Sequence, residues 1–188
     1  SNEAVRAFKL GYAAEDWEGL QQFLVKKKGY KAEELEKAGL VIKSEKGSYY
    51  DRFRGRLMFP LTDGRGKILG FAGRVLDPEV KEAKYVNTPE TLVYHKGELL
   101  YGLAVTKGEI KQADMAVVVE GELDAIASWQ AGVKNVVAIK GSAFTEEQIR
   151  LLSRYTENLR LALDADTAGQ TATRRSIAVA DSLGMNVR

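Results

Sequence analysis

Apolar positions along the chain keep two different rhythms. Between residues 16 and 28, Trp17, Leu20, Phe23 and Leu24 recur at helical spacing. Lys26, Lys27 and Lys28 before Gly29 supply cations and a stop at the carboxyl end, which predicts a helix there. A second, shorter helix is predicted over residues 32–38, ended by Gly39. Apolar runs over 57–61 and 67–71 flank Asp63-Gly64-Arg65-Gly66, the signature of a hairpin. Residues 76–98 show little periodicity and several turn-forming residues, and are expected to be an extended surface segment or loop. After Ala113 the pattern becomes regular, predicting strands over 116–120, 135–139 and 159–164 that alternate with helices over 123–131, 145–154 and 168–183. Such alternation implies a parallel sheet covered by helices and joined by right-handed crossovers. Residues 185–188 read as the start of another strand, so the sheet is expected to continue past the carboxyl end of the chain. There is no internal repeat and no low-complexity tract.

Composition narrows the chemistry. The 188 residues are 45% hydrophobic, enough to bury a sizeable core. No apolar run approaches the ~18 residues of a membrane span, and no charged-then-apolar signal segment opens the chain, so it is expected to be soluble and cytoplasmic. The absence of cysteine excludes disulfides and thiolate metal sites, and His95 as the single histidine argues against a His-rich zinc site. Any metal must be held by oxygen, which favours magnesium, manganese or calcium. The formal charge of +2 hides a polarity: residues 1–113 carry 20 Lys+Arg against 16 Asp+Glu, and residues 114–188 carry 8 against 10. A basic part followed by an acidic one suits a protein that holds a polyanion with the first and metal ions with the second.

The acidic residues stand where the apolar runs end. Val117-Val118-Val119 stops at Glu120, and Leu161-Ala162-Leu163 stops at Asp164-Ala165-Asp166. Carboxylates so placed lie at the carboxyl edge of the sheet, where open parallel sheets carry their chemistry. Asp164 and Asp166 leave the same face as long as the strand persists and can grip one metal ion together. Glu120 also reads as a solvated turn residue or a charge at the start of the following helix, and Asp166 or Thr167 as a helix cap. Two neighbouring strand ends that both present carboxylates repel each other, however, and a divalent cation relieves the repulsion. Asp124, near the start of the next helix, can accept from backbone amides or bridge a metal-bound water, and capping ranks ahead of direct ligation. Thr145-Glu146-Glu147-Gln148 is a capping box with a structural role only.

Basic residues of the middle segment are interleaved with aromatics and glycines: Tyr50 to Arg56, Gly70 to Arg74, Lys84-Tyr85-Val86-Asn87 and His95-Lys96-Gly97. Arg52, Arg54 and Arg56 alternate, so on a strand they form one basic stripe able to hold phosphates while aromatic rings stack on unpaired bases. An edge strand guarded by charge is the competing explanation. Lys26–Lys28 are assigned to the helix dipole and the solvated surface. No Ser/His or Cys/His constellation supplies a side-chain nucleophile.

In order along the chain stand Tyr-Asp-Arg-Phe-Arg-Gly-Arg-Leu-Met-Phe-Pro-Leu (50–61), Gly-Phe-Ala-Gly-Arg-Val-Leu (70–76), Lys-Tyr-Val-Asn-Thr-Pro-Glu-Thr (84–91), His-Lys-Gly-Glu-Leu-Leu-Tyr-Gly-Leu (95–103), and then the Glu120 and Asp164/Asp166 motifs. This ordered set closely resembles the RNA polymerase core of bacterial DNA primases of the DnaG type, over almost the whole chain. A lone Glu120-type motif or Asp-x-Asp is shared with topoisomerases and some nucleases through the toprim module, whereas the ordered set is specific. The resemblance implies an α/β fold with a mixed amino-terminal α+β subdomain, residues 1–113, and a Rossmann-like toprim subdomain with a parallel sheet, residues 114–188, truncated at its carboxyl end. It further implies a shallow groove between the two for single-stranded DNA template and nascent RNA. Glu120, Asp164 and Asp166 match the toprim metal-site acids and are expected to be catalytic, and Asp124 matches a further acidic position. Arg74, Lys84, Asn87 and Lys96, with Tyr85 among them, are expected to bind nucleotide phosphates or template, and Arg54 and Arg56 to lie near the groove. His95 adjoins Lys96 without a catalytic role.

The implied function is synthesis of short RNA primers from ribonucleoside triphosphates on single-stranded DNA, by nucleotidyl transfer assisted by Mg2+ or Mn2+, at the bacterial replication fork in the nucleoid. The implied partners are template, ribonucleoside triphosphates, nascent primer and the replicative helicase. Zinc and the helicase contact are expected in amino- and carboxyl-terminal domains outside this chain, as is a second acidic pair downstream of the toprim centre. The chain then reads as a fragment with weak activity of its own or none. Two positions depart from the family: Glu122 stands where an aromatic residue is usual and adds negative charge, and Gly141-Ser142 replaces the common Gly-Thr. A toprim nuclease or topoisomerase would share the acids, but no tyrosine stands in a strand-cleavage context. A DNA-binding module with a structural acidic cluster is the non-enzymatic alternative.

Overall fold

Val, Ile and Ala fill β8 (Ala116–Val119) and β9 (Val136–Ile139) almost without interruption because helices cover both faces of the sheet they form. The structure is a computed structural model that describes every residue except 78, 80–82, 141–143 and 165–166, and for 167–172 the backbone alone. In chain order, the elements before β8 are α1 (Asn2–Ala7), β1 (Gly11–Ala13), α2 (Gly19–Lys28), α3 (Ala32–Lys37), β2 (Val41–Lys43), β3 (Tyr49–Asp51), β4 (Arg56–Thr62), β5 (Ile68–Val75), β6 (Tyr85–Asn87), a 3-10 turn (Lys96–Glu98), β7 (Leu100–Tyr101) and α4 (Leu103–Ala113). After β8 come α5 (Glu122–Gln130), β9, α6 (Glu146–Leu152), β10 (Asn158–Leu161), α7 (Thr167–Ser182) and β11 (Asn186–Val187). No described helix is long and apolar enough to cross a membrane.

The chain forms two compact units. The first comprises residues 1–8, 62–67 and 96–188, and the second residues 9–61 and 68–95. The first unit is built on a sheet in the order β11-β10-β8-β9-β7. Four of its strands run parallel, as the alternating pattern requires, and β11 is the additional strand that residues 185–188 predict. The antiparallel edge strand β7, which pairs Leu100 with Ile139, and helix α4 behind it are additions that the hydrophobic rhythm does not reveal. A two-residue strand is too short to carry a period. Val118, Val137, Leu159, Ile110 and Ile149 are fully buried in the core on this sheet. The capping box forms as its spacing predicts: Thr145 Oγ1 accepts from Gln148 N at 3.1 Å, and Gln148 Oε1 accepts from Thr145 N at 3.0 Å. The buried Gln148 amide also donates to Leu99 O at 2.8 Å, so the cap ties α6 to the start of β7.

The second unit carries a sheet in the order β1-β4-β5-β6 and the small antiparallel hairpin β2–β3. The β4–β5 hairpin falls where its signature stands, and Asp63 Oδ1 closes the turn by accepting from Arg65 N and Lys67 N, both at 2.9 Å. Strand β6 lies within the segment expected to be irregular. It becomes a strand by pairing antiparallel with β5, Arg74 opposite Tyr85 and Ala72 opposite Asn87. Helix α2 starts at Gly19, three residues later than the apolar spacing suggests. Its amino terminus is capped from a distance: Asp51, at the end of β3, accepts from Leu20 N at 2.7 Å and Gln21 N at 2.9 Å. Burial pushes the Asp51 carboxyl above the usual carboxylate range, against the pull of those two amides.

Candidate catalytic edge and nucleic-acid interface

In the first unit, β10 lies beside β8 with Leu161 in register with Val118, so their carboxyl ends emerge side by side. Ala162 N still donates to Val118 O at 2.8 Å, after which the two chains part. Asp164 N then donates to Glu120 Oε1 at 3.0 Å, which draws the two acidic residues together across neighbouring strands. Among the described residues, Glu120 Oε2 and both carboxylate oxygens of Asp164 have no hydrogen-bond partner, and Asp164 is exposed. Hard oxygens left open at an exposed edge fit Mg2+ or Mn2+, which bind through one or two carboxylates and keep several waters for exchange with phosphate. No group of three or more His, Asp or Glu side chains among the described residues is placed to hold a metal. Asp166 lies outside the described residues, as does Gly141-Ser142.

Two expectations about this edge change. Strand β10 ends at Leu161, three residues before Asp164, so Asp164 stands beyond the strand rather than at its last position, although Leu163 still packs against the core. Glu122 does not add uncompensated negative charge. It opens α5 with 6% of its surface exposed and forms an ion pair with Lys140, which follows β9 and is 8% exposed. The Tyr101 phenol is raised strongly by burial and then by the charge of Glu122. Asp124 adopts the capping role, its Oδ2 accepting from Gly121 N at 3.0 Å at the start of α5, where the helix dipole also favours a negative charge.

In the second unit the arginine stripe does not form. No strand runs through 52–55; Gly55, in the left-handed region at φ +57°, turns the chain between β3 and β4, and alternation of side chains is lost. Arg56 is 2% exposed, and its guanidinium donates to Ala83 O at 2.8 Å and Lys84 O at 3.4 Å. Its charge therefore anchors the segment leading into β6, because a guanidinium out of water must be hydrogen-bonded. Arg52 is half-buried, burial lowers its pKa, and its Nε has no partner among the described residues. Arg54 alone of the three lies over aromatic faces, 4.0 Å from the Trp17 ring centre and 5.5 Å from that of Tyr50, while donating to the Asp51 carbonyl. Trp17, 61% exposed, is therefore not the apolar helix position that its spacing predicts. Asp16 is the available signal, a turn-former whose Oδ1 accepts from Glu18 N at 3.0 Å and leaves Trp17 outside the helix.

Arg74 and Tyr85 face each other across β5 and β6 with the guanidinium 5.5 Å from the ring centre. Lys84 is exposed just before β6, and Asn87 ends the strand half-buried. The structure thus brings Arg74, Lys84, Tyr85 and Asn87 onto one pair of strands. Lys96 and His95 are exposed; Lys96 opens the 3-10 turn of the first unit, and His95 Nδ1 lies 3.0 Å from Glu90 Oε2 in the second.

A parallel sheet with carboxylates at its carboxyl edge, in a chain that also carries an α+β unit with exposed cations, makes an α/β protein suited to divalent-metal chemistry on a polyanion. A family model described as DNA primase catalytic core, N-terminal domain, matches residues 1–107, and one described as Toprim-like matches residues 117–188. The chain belongs to this family of DNA primase catalytic cores. The DNA primase of Clostridium acetobutylicum is 44% identical over 189 residues, covering 100% of this chain and 31% of that protein. Among solved structures, the E. coli primase catalytic core is 36% identical with a TM-score of 0.88, covering 100% of this chain and 60% of that one. A DnaG primase catalytic domain bound to ssDNA is 37% identical with a TM-score of 0.84, covering 96% and 55%. The α/β fold implied by the sequence motifs is the fold observed. The chain spans about a third of the length of the curated relatives it matches.

Proposed function

We propose that this chain carries the catalytic core of a DNA primase, which makes short RNA primers from ribonucleoside triphosphates on single-stranded DNA during replication. The observation that carries the reading is the link from Asp164 N to Glu120 Oε1, which places two open carboxylates together at the carboxyl edge of β8 and β10 in a chain of the primase core family. Glu120 and Asp164, with Asp166, hold Mg2+ or Mn2+. When bound, the ions neutralise the triphosphate, make the primer 3′-hydroxyl a better nucleophile towards the α-phosphorus and stabilise the pyrophosphate that leaves.

The remaining residues bind and orient. Arg74, Lys84, Asn87 and Lys96 hold nucleotide phosphates or template by charge and hydrogen bonding, and Tyr85 offers a ring to a base. Arg54 with Trp17 and Tyr50 makes a stacking platform for unpaired template, in keeping with the ssDNA bound by the similar DnaG domain. Arg56 positions Lys84 through the carbonyls it holds, and Asp124 acts by capping α5. The functional boundary at 113/114 follows charge, basic before and acidic after, while residues 96–113 pack with the sheet of the first unit. Within a longer polypeptide, a zinc-binding segment before this chain and a helicase-contacting segment after it complete a protein that works at the replication fork.

The test is primer synthesis by the longer protein that contains this chain, with ribonucleotides, Mg2+ and a single-stranded template. Labelled RNA primers are expected from the wild type and are lost in Glu120→Gln and Asp164→Asn. Primer synthesis that survives both substitutions, or DNA cleavage in its place, overturns the assignment.

A further inference from the structure

Three side chains follow three adjacent parallel strands at the same edge of the sheet: Asp164 after β10, Glu120 after β8 and Lys140 after β9. Glu122 lies two residues beyond Glu120 and is withdrawn from solvent into an ion pair with Lys140. An isolated carboxylate this deeply buried is costly, and a charge two residues from Glu120 along the chain would act on a cation bound at that residue. The ammonium of Lys140 answers both problems at once. We propose that Lys140 is a positioning residue that holds Glu122 and cancels its charge, so that Glu122 does not add to the pull that Glu120 and Asp164 exert on divalent cations at the edge. The inference rests on the metal-site reading given above and adds to it the charge balance that makes an acidic residue at position 122 compatible with that site.

The two partners are predicted to affect cation binding with opposite signs. Glu122→Gln removes one negative charge beside Lys140 and lowers divalent-ion affinity. Lys140→Gln leaves Glu122 unmatched and raises it. The pair and the site follow adjacent strands at one edge of the sheet, and at a partly screened separation a unit charge acting on a divalent ion corresponds to about tenfold in each direction. The double substitution Glu122→Gln/Lys140→Gln returns the affinity to within about threefold of wild type, because the net charge is restored.

Binding of Mn2+ alone to the full chain, read from the electron paramagnetic resonance of the free ion, tests this in the wild type, the two single variants, the double variant and Glu120→Gln, with circular dichroism to confirm folding. Opposite shifts in the two singles that cancel in the double are the expected result, and general loss of structure cannot produce them. Equal affinities in all charge variants, or two shifts of the same sign, overturn the proposal. If one single variant unfolds, the double and the remaining single decide: a double near wild type with the remaining single displaced in its predicted direction upholds the proposal, and any other pattern overturns it. Wild-type binding unaffected by Glu120→Gln, or no binding by the wild type, removes the metal site and this inference with it. A normal Glu120 dependence with inert charge variants removes this inference alone.

Discussion

The acidic edge of the first unit and the basic strands of the second unit are built by different means. At the acidic edge, main-chain topology decides position: β8 and β10 run parallel and end together, and a backbone amide links Asp164 beyond one strand to Glu120 beyond the other. Among the arginines of residues 52–56, a single glycine turn decides position, and three side chains two residues apart take three different environments. Chemistry at the ends of parallel strands is set by the order of strands, whereas chemistry on short strands and turns depends on each local bend.

The largest effect that would sharpen this contrast lies at the edge. Glu120→Gln is expected to lower primer synthesis by the longer protein by about 10²- to 10³-fold, the scale of losing one preorganised electrostatic group, with an unchanged circular dichroism spectrum. Full activity would show that the edge is structural. Next come Arg56 and Arg54, which the sequence treats alike and the structure separates. Arg56→Ala is expected to cost about 2–3 kcal/mol in urea unfolding, since it empties a buried guanidinium position and removes the donor to the Ala83 carbonyl. Arg54→Ala is expected to leave stability within about 1 kcal/mol and to weaken binding of a single-stranded oligonucleotide. Trp17→Ala should weaken that binding too, by about 1–3 kcal/mol for the lost stacking partner. If Arg56→Ala lost DNA binding at full stability, the separation would be broken.

The smallest effects concern Asp51. Asp51→Ala removes a cap made across the fold and should destabilise the chain by about 1 kcal/mol, read as a lowered urea midpoint. Because burial raises the Asp51 carboxyl pKa, the folded chain binds that proton more tightly than the unfolded chain does. The stability owed to this group is therefore greatest below the ordinary carboxylate pKa and declines as pH rises through the raised value. Asp51→Asn should flatten that part of the pH profile in thermal melts, and an unchanged slope would show that Asp51 does not carry it.

Legibility varies with the length of the pattern. The parallel strands, the β4–β5 hairpin and the α6 capping box stand in the sequence because each needs several residues of one period or one fixed spacing. Strands β6 and β7 do not, since two or three residues become a strand only when a neighbour offers its edge. Trp17 is misplaced by its spacing for a related reason: helical periodicity counts apolar positions and does not register where the first turn begins.

The sequence by itself determined that this protein has a parallel sheet ending in carboxylates and that any metal must be bound by oxygen, because apolar runs and the absence of cysteine are properties of the chain alone. Tertiary structure alone decided that Glu122 is neutralised by Lys140, that Arg56 is buried, and that Arg54 meets Trp17. Periodicity reports which side of an element leaves water; the groups met on that side are settled only when distant segments pack.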